Sequence, residues 1–183
     1  MSKIVLPGAP LLDSSTRLRP WRDDDVPAIT EACRDPEIAR WTTVPENYSE
    51  ADARAFLLYR YDALLAGTTA PFAVVSEEDQ VLGSVALMRI DWDHLRAETG
   101  YWLARWGRGH GHATRALGLI CRWGFTALGL ERIELFAATG NRASQRVAER
   151  AGFVREAVLR AYLRGKDGQQ DMVAYGLLAS GAD

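Results

Sequence analysis

Residues 105–114 read RWGRGHGHAT, with glycine at 107, 109 and 111. Glycine inside an element costs about 0.5–1 kcal/mol relative to alanine, because it has more freedom to lose. Glycine at every second position therefore marks a backbone doing something that a Cβ would prevent. The flanks say what. Upstream, ETGYWLA (98–104) has the aromatic and β-branched character of a strand. Downstream from Ala113, the apolar positions Leu117, Ile120, Cys121, Gly124 and Leu128 follow a three-to-four spacing, and Gly129 supplies the stop of a helix. A strand that feeds a helix through glycines leaves free N–H groups beside the positive end of the helix dipole. That is an anion site, suited to phosphate.

Spacing separates the kinds of phosphate loop. A P-loop counted from Gly107 needs Gly-Lys-Ser/Thr where His112 stands. A dinucleotide fingerprint needs glycine or alanine at 112 or at 114, which are His112 and Thr114. Both fail. The form that fits is R-x-x-G-x-A over Arg108-Gly109-His110-Gly111-His112-Ala113. His110 and His112 have no third ligand nearby, so no metal is expected and both read as exposed loop side chains.

Working outward, STRLRPW gives a short strand near Leu18, and Asp23–Asp25 form an acidic start for the helix that follows. SEADARAFLLYRYDALLAG opens with Ser49 and Asp52 close to a capping box and runs helically to Gly67. Between these helices, DPEIARWTTVPENY reads as a proline-punctuated loop exposing Trp41 and Tyr48. PFAVVSEEDQVLGSVALMRID is a hairpin, and DWDHLRA is the loop before the strand at 98–104. ERIELFAATG is a strand, NRASQRVAERAG a helix capped by Asn141 and closed by Gly152, and the remainder two strands around GKDG. The order β-α-α-β-β-β-α-β-α-β-β gives an α+β (mixed α/β) fold with one largely antiparallel sheet and about four helices. Residues 1–12 are expected as a loosely ordered leader and 13–180 as a single domain.

Hydrophobic residues make up 48% of the 183-residue chain, charged residues 25%, and the formal net charge is −2. No concentrated basic face points to nucleic acid, and no apolar stretch approaches the roughly 18 residues of a membrane span. Cys33 and Cys121 lie in unlike contexts without a disulfide pattern, so a reducing, cytoplasmic setting is expected.

With these surroundings the chain resembles the GNAT superfamily of acetyl-CoA-dependent N-acetyltransferases. STRLRP, AETGYWLA, the R-x-x-G-x-A loop, NRASQRVAERAGF and DMVAYGLL stand in the order of the branch similar to Rim-type ribosomal-protein N-terminal acetyltransferases. The resemblance covers residues 13 to 178. It implies a sheet splayed between the strands at 98–104 and 132–138, with the pantetheine arm of coenzyme A lying between them. It further implies that Arg108, Gly109, His110, Gly111, His112, Ala113 and Thr114 form the pyrophosphate loop, through the backbone amides of Gly109, Gly111, Ala113 and Thr114. Leu103 or Ala104 would offer an N–H to the acyl carbonyl.

Transfer to an amine needs a base, because an ammonium must lose a proton before it attacks. The resemblance places an acidic residue at Glu98, with Asp91, Asp93 and His94 as second choices. Many members of the superfamily carry a tyrosine acid on the helix after the splayed strand, but NRASQRVAERAG has none. Rim-type relatives carry serine, which matches Ser144, and Asn141 would cap the helix and bond the pantetheine or a water. The residue-level alternative is that Glu98 bonds a neighbouring strand and that Asn141 and Ser144 only cap. Cys121 falls on the apolar stripe of its helix, so direct transfer in a ternary complex is expected rather than a covalent route.

Trp41, Trp92 and Asp93, with Tyr48 and Tyr59 beside them, are the candidate lining of the acceptor groove. The aromatics read equally as core edges or as the face of a homodimer. The acceptor is a primary amine, either a peptide N-terminus or a small molecule. A non-catalytic acyl-CoA-binding domain on the same scaffold is the alternative function.

Overall fold

A computed structural model describes residues 4–166 and 168–181. Its strands are β1 (Leu11–Asp13), β2 (Thr16–Arg19), β3 (Ala70–Val75), β4 (Val81–Asp91), β5 (Arg96–Leu103), β6 (Arg132–Ala138), β7 (Val154–Gly165) and β8 (Gly168–Leu178). The helices are α1 (Val26–Cys33), α2 (Pro36–Trp41), α3 (Glu50–Leu65), α4 (His112–Leu128) and α5 (Arg142–Arg150). One sheet runs in the order β1-β2-β3-β4-β5-β6-β8-β7. Every neighbouring pair is antiparallel except β5 and β6. The mixed α/β architecture expected from the sequence is the one observed, with five α-helices among the described residues rather than about four.

Alternation along β5 shows how the helices divide between the faces. Tyr101 and Leu103 pack against the core formed by α4, α5 and the sheet, whereas Trp102 and Ala104 join Val26, Ile29, Ile38 and Tyr48 under α1–α3. On the first face Leu117, Ile120 and Cys121 of α4 are fully buried, as their spacing predicts. Gly124 lets this helix approach the sheet, since a Cβ there would stand 2.8 Å from Leu87. At Gly129 the backbone turns left-handed (φ 67°) and ends α4.

Three expectations change. The stretch read as a loop holds α2, whose start is Asp35 accepting a hydrogen bond from the Glu37 N–H at 2.9 Å with Pro36 in the first turn. Proline at that position starts a helix rather than interrupting one. Tyr48 is buried, 6% exposed, because it packs into the α1–α3 core. Finally, ordered structure begins before residue 13, since Ile4 lies in the main core and β1 pairs with β2. Asp25 holds its place in the acidic helix start, accepting the Arg22 N–H at 2.9 Å, and also accepts both Arg19 Nη1 and Nη2 at 2.8 Å in a buried pair. Asp167, in the expected turn GKDG, lies outside the described residues, as do Met1–Lys3 and residues 182–183. No helix among the described residues is long and apolar enough to cross a membrane.

Candidate active site

β5 and β6 pair only over Arg96–Glu98 against Arg132–Glu134. Beyond that point β6 stays with β8 as far as Ala138, and β5 stays with β4 as far as Leu103, so the two strands part. The Ala104 N–H donates to the Leu82 carbonyl of β4 at 2.8 Å. In an antiparallel ladder the backbone groups of alternate residues point to opposite sides. The register Gly83 with Leu103 therefore turns the N–H and C=O of Tyr101 and Leu103, and the Thr99 carbonyl, away from β4, into the gap. Of the two candidate carbonyl donors, Ala104 is committed to β4 and Leu103 has its N–H on the open side. An extended chain bearing amides fits such an edge as a strand would.

The gap leads to the N-terminus of α4. Helices α2, α3 and α5 begin with side-chain caps from Asp35, Ser49 and Asn141. α4 begins at Gly111 (φ 79°), with neither a side-chain cap nor an acidic residue in its first turn. Among the described residues its first N–H groups thus have no side-chain cap, a partner that helix ends require. Gly109 also has positive φ, 85°, and no atom lies within 4 Å of where its Cβ would stand. The glycines give this loop both its left-handed turns and an open approach to the helix end.

The side chains of the loop point elsewhere. Arg108 donates from Nε and Nη2 to the Leu103 carbonyl at 3.1 and 2.9 Å. Its Nη1 also makes an ionic contact with Asp35 at 2.9 Å, tying the loop to the start of α2. His112 is not exposed as expected. It is 8% accessible, with Nδ1 2.8 Å from Thr16 Oγ1. Burial, with Arg115 and His110 nearby, lowers its pKa. His110 is exposed, and its carbonyl accepts from Arg115 at 2.6 Å.

At the crotch of the V, Glu98 of β5 stands opposite Glu134 of β6 in the last register pair. Glu98 pairs with Arg89 and is 18% exposed at its side chain. Burial raises its pKa, Arg89 opposes that rise and Glu134 adds to it. Glu134 accepts from Arg132 Nε at 2.9 Å, and Arg132 also donates to Glu156 at 3.0 Å. Across the gap the Tyr101 hydroxyl lies 3.3 Å from Ser144 Oγ. Asn141 caps the Ser144 N–H at 3.0 Å, and buried Gln145 holds the β6–α5 turn through the carbonyls of Ala138 and Thr139 at 3.1 and 2.9 Å.

Residues 16–154 match the model of the acetyltransferase (GNAT) domain. The chain belongs to the GNAT acetyltransferase family. It is 30% identical to the uncharacterized N-acetyltransferase p20 of Bacillus licheniformis over 162 residues, 88% of this chain and 91% of p20. Among solved structures it resembles RimL, a ribosomal L7/L12 α-N-protein acetyltransferase in complex with coenzyme A (TM-score 0.86, 18% identity, 96% of this chain and 100% of that one). It also resembles the Vibrio cholerae spermidine N-acetyltransferase in complex with coenzyme A and spermine (TM-score 0.81, 24% identity, 93% and 99% covered).

In this GNAT acetyltransferase the aromatic candidates separate. Trp41 reaches the splayed end, where a Cβ at Gly140 would stand 3.4 Å from its ring. A groove of about 440 Å³ there is lined by Trp41, Ala138, Thr139, Gly140, Gln170 and Asp171. Trp92 and Asp93 precede β5 and so sit at the other end of that strand. Trp92 Nε1 donates to the Gly67 carbonyl at 2.8 Å, while Asp93 is exposed. Tyr59 is 66% exposed on α3. Sequence reasoning missed Tyr101 and Arg89. Tyr101 was legible in part, since it is one of the alternate residues of 98–104 that must face the gap. Among the described residues no group of three or more His, Cys, Asp or Glu could hold a metal ion.

Proposed function

We propose that this enzyme transfers an acetyl group from acetyl-CoA to the α-amine of a protein or peptide N-terminus, with both substrates bound together. One observation carries the reading: the unpaired edge of β5 runs directly into the uncapped, glycine-led start of α4. The backbone N–H and C=O of Tyr101 and the Thr99 carbonyl are offered to the amides of a pantetheine arm. The N–H groups of Gly109 to Thr114 offer a cradle for its pyrophosphate, with Arg108 holding the turn.

Acetyl-CoA supplies the acyl group already activated as a thioester. The chain does the rest. Glu98 takes the proton from the ammonium, directly or through water. The Leu103 N–H donates to the carbonyl oxygen as it gains charge, a contact typically worth about 3 kcal/mol. Ser144, held by Asn141 and Tyr101, gives its proton to the departing sulfur and regains one from the attacking nitrogen. A covalent route through cysteine has no support, because burial pushes the thiols of Cys33 and Cys121 up to about 12.

A peptide amine is favoured over a polyamine because the carboxylates at the crotch already have arginine partners, Arg89 for Glu98 and Arg132 for Glu134. A polyamine calls for carboxylates left open to several ammonium groups. RimL acts on a protein α-amine by its name, while the spermidine enzyme binds spermine. The test has two stages. Acetyl-CoA at a hundredfold excess over its Kd adds about 2.7 kcal/mol, which raises Tm by roughly 5–10 °C in a domain of this size. No shift with acetyl-CoA or coenzyme A removes the reading altogether. Thiol release is then compared between short peptides and spermidine, and faster turnover of spermidine overturns the choice of acceptor.

A further inference from the structure

The register between β4 and β5 breaks beside the crotch of the V. Met88 stands opposite Glu98, and Asp91 opposite Arg96, so Arg89 and Ile90 together face Ala97 alone. This is a β-bulge, a device that re-aims side chains. In an unbroken strand Arg89 would follow Leu87 onto the α4 face, which is core. Here Arg89 takes φ 49°, left-handed backbone that favours glycine. Ile90 takes the buried place instead, 7% exposed in the same core as Leu87. Arg89 is thereby turned to the side of Met88 and Glu98, where its Nη1 donates to Glu98 Oε2. Strain of this kind collects where surrounding structure holds a side chain for a purpose.

The geometry points to Arg89 as a positioning residue for acetyl transfer: delivered by the bulge, its guanidinium holds the Glu98 carboxylate ionised and aligned at the crotch of the V. The proposal rests on Glu98 being the base. The charged groups around Glu98 leave this task to Arg89. From β6, Glu134 faces Glu98 with like charge. Arg132, the cation on that strand, is shared between Glu134 and Glu156 of β7. Burial favours the neutral acid at Glu98, and Arg89 is the group that opposes it. An opposite charge at contact typically lowers a carboxyl pKa by about 1–3 units, less where one partner is exposed as Arg89 is.

The experiment uses Arg89→Gln, Arg89→Lys, Arg89→Gly and Glu98→Gln in the full chain. Two readouts are followed: the Glu98 carboxyl titration by carbon-detected NMR, and the pH dependence of kcat/KM for the amine. In Arg89→Gln, both the carboxyl titration and the acid limb of kcat/KM are expected to move up by about one pH unit. The KM for acetyl-CoA should stay unchanged. Arg89→Lys should bring both back. Arg89→Gly, which suits the backbone, should reproduce the Gln profile without loss of Tm, separating charge from folding. If the carboxyl titration does not move, the proposal is overturned whatever Glu98 does. If the carboxyl moves while the acid limb stays, and Glu98→Gln retains turnover, the base assignment fails and takes the catalytic role of Arg89 with it.

Discussion

Tyr101 and Ser144 come from opposite walls of the V, one from β5 and one from the first turn of α5, and their oxygens meet at 3.3 Å. Burial raises the Tyr101 pKa and the contact with Ser144 opposes it, so at neutral pH the phenol is protonated and able to donate. Helix α5 itself carries no tyrosine, and this phenol reaches Ser144 from across the gap. Ser144→Ala removes the proposed acid, and kcat should fall about 10²-fold with the Kd for acetyl-CoA unchanged. Tyr101→Phe leaves the serine without its partner and should give a smaller loss. Steady-state thiol release and calorimetric titration check both variants. Wild-type rates in both would remove the pair from the reaction.

A second prediction concerns the buried pair Arg19–Asp25, whose side chains are 4% and 6% exposed. Removing one partner of a buried pair typically costs about 3–5 kcal/mol when the charge left behind is uncompensated. Here Arg19 Nε keeps Asp79 Oδ1 at 2.6 Å, so Asp25→Ala should lose less than that in urea unfolding. The loss should be smaller still in the double variant Arg19→Met, Asp25→Ala, because no half-paired buried guanidinium remains and Asp79 keeps Arg22 at 2.6 Å. Equal losses in the single and double variants would mean that Asp25 matters for packing alone.

The same pair shows where sequence reading stops. Asp23–Asp25 preceding a helix suggests a favourable charge at its start, and that local argument is sound, with Asp25 accepting the Arg22 N–H. That Asp25 also takes Arg19 is a contact that depends on how β2 meets α1. The elements that decided the fold were legible because their signals are local: the three-to-four stripe of α4, the capping box at Ser49, the glycines at 109 and 111. Helix α2 is also written locally, in Asp35-Pro36-Glu37, but proline suits a loop as readily as the first turn of a helix. The β4 bulge at Arg89, the parity that aims Leu103 into the gap, and the distance between Trp92 and Trp41 are consequences of strand pairing. No residue announces them alone.

His112 gives the pH dependence of stability a direction. Burial lowers its folded pKa below the ordinary value near 6.5. Below that pH the unfolded chain binds a proton that the native protein resists, so stability is full above about 6.5 and declines as pH falls. His112→Gln keeps a partner for Thr16 Oγ1 and removes the titration. Its unfolding free energy between pH 7.5 and 5.5, about a unit either side of the histidine value, should therefore fall less steeply than wild type. Parallel curves would show that other groups carry the acid sensitivity.

The glycines of the loop are distinguishable by what a side chain would meet. At Gly109 a Cβ touches nothing within 4 Å, so alanine there is disfavoured only by φ 85°. That conformation costs an L-residue about 1–2 kcal/mol. The loop sheds the strain by leaving the left-handed turn, and binding must restore it, so Gly109→Ala should weaken acetyl-CoA about tenfold. At Gly111 (φ 79°) a Cβ also meets Arg115 Nη1 at 3.0 Å, and Gly111→Trp places a ring at the mouth of the helix. That variant should abolish measurable binding while Tm without ligand drops only slightly, since the site is exposed. Calorimetric titration with acetyl-CoA and a thermal melt decide the matter together. Unchanged affinity in Gly111→Trp would move the phosphate site away from the start of α4, whereas lost affinity with a large drop in Tm would make the loop a folding element first.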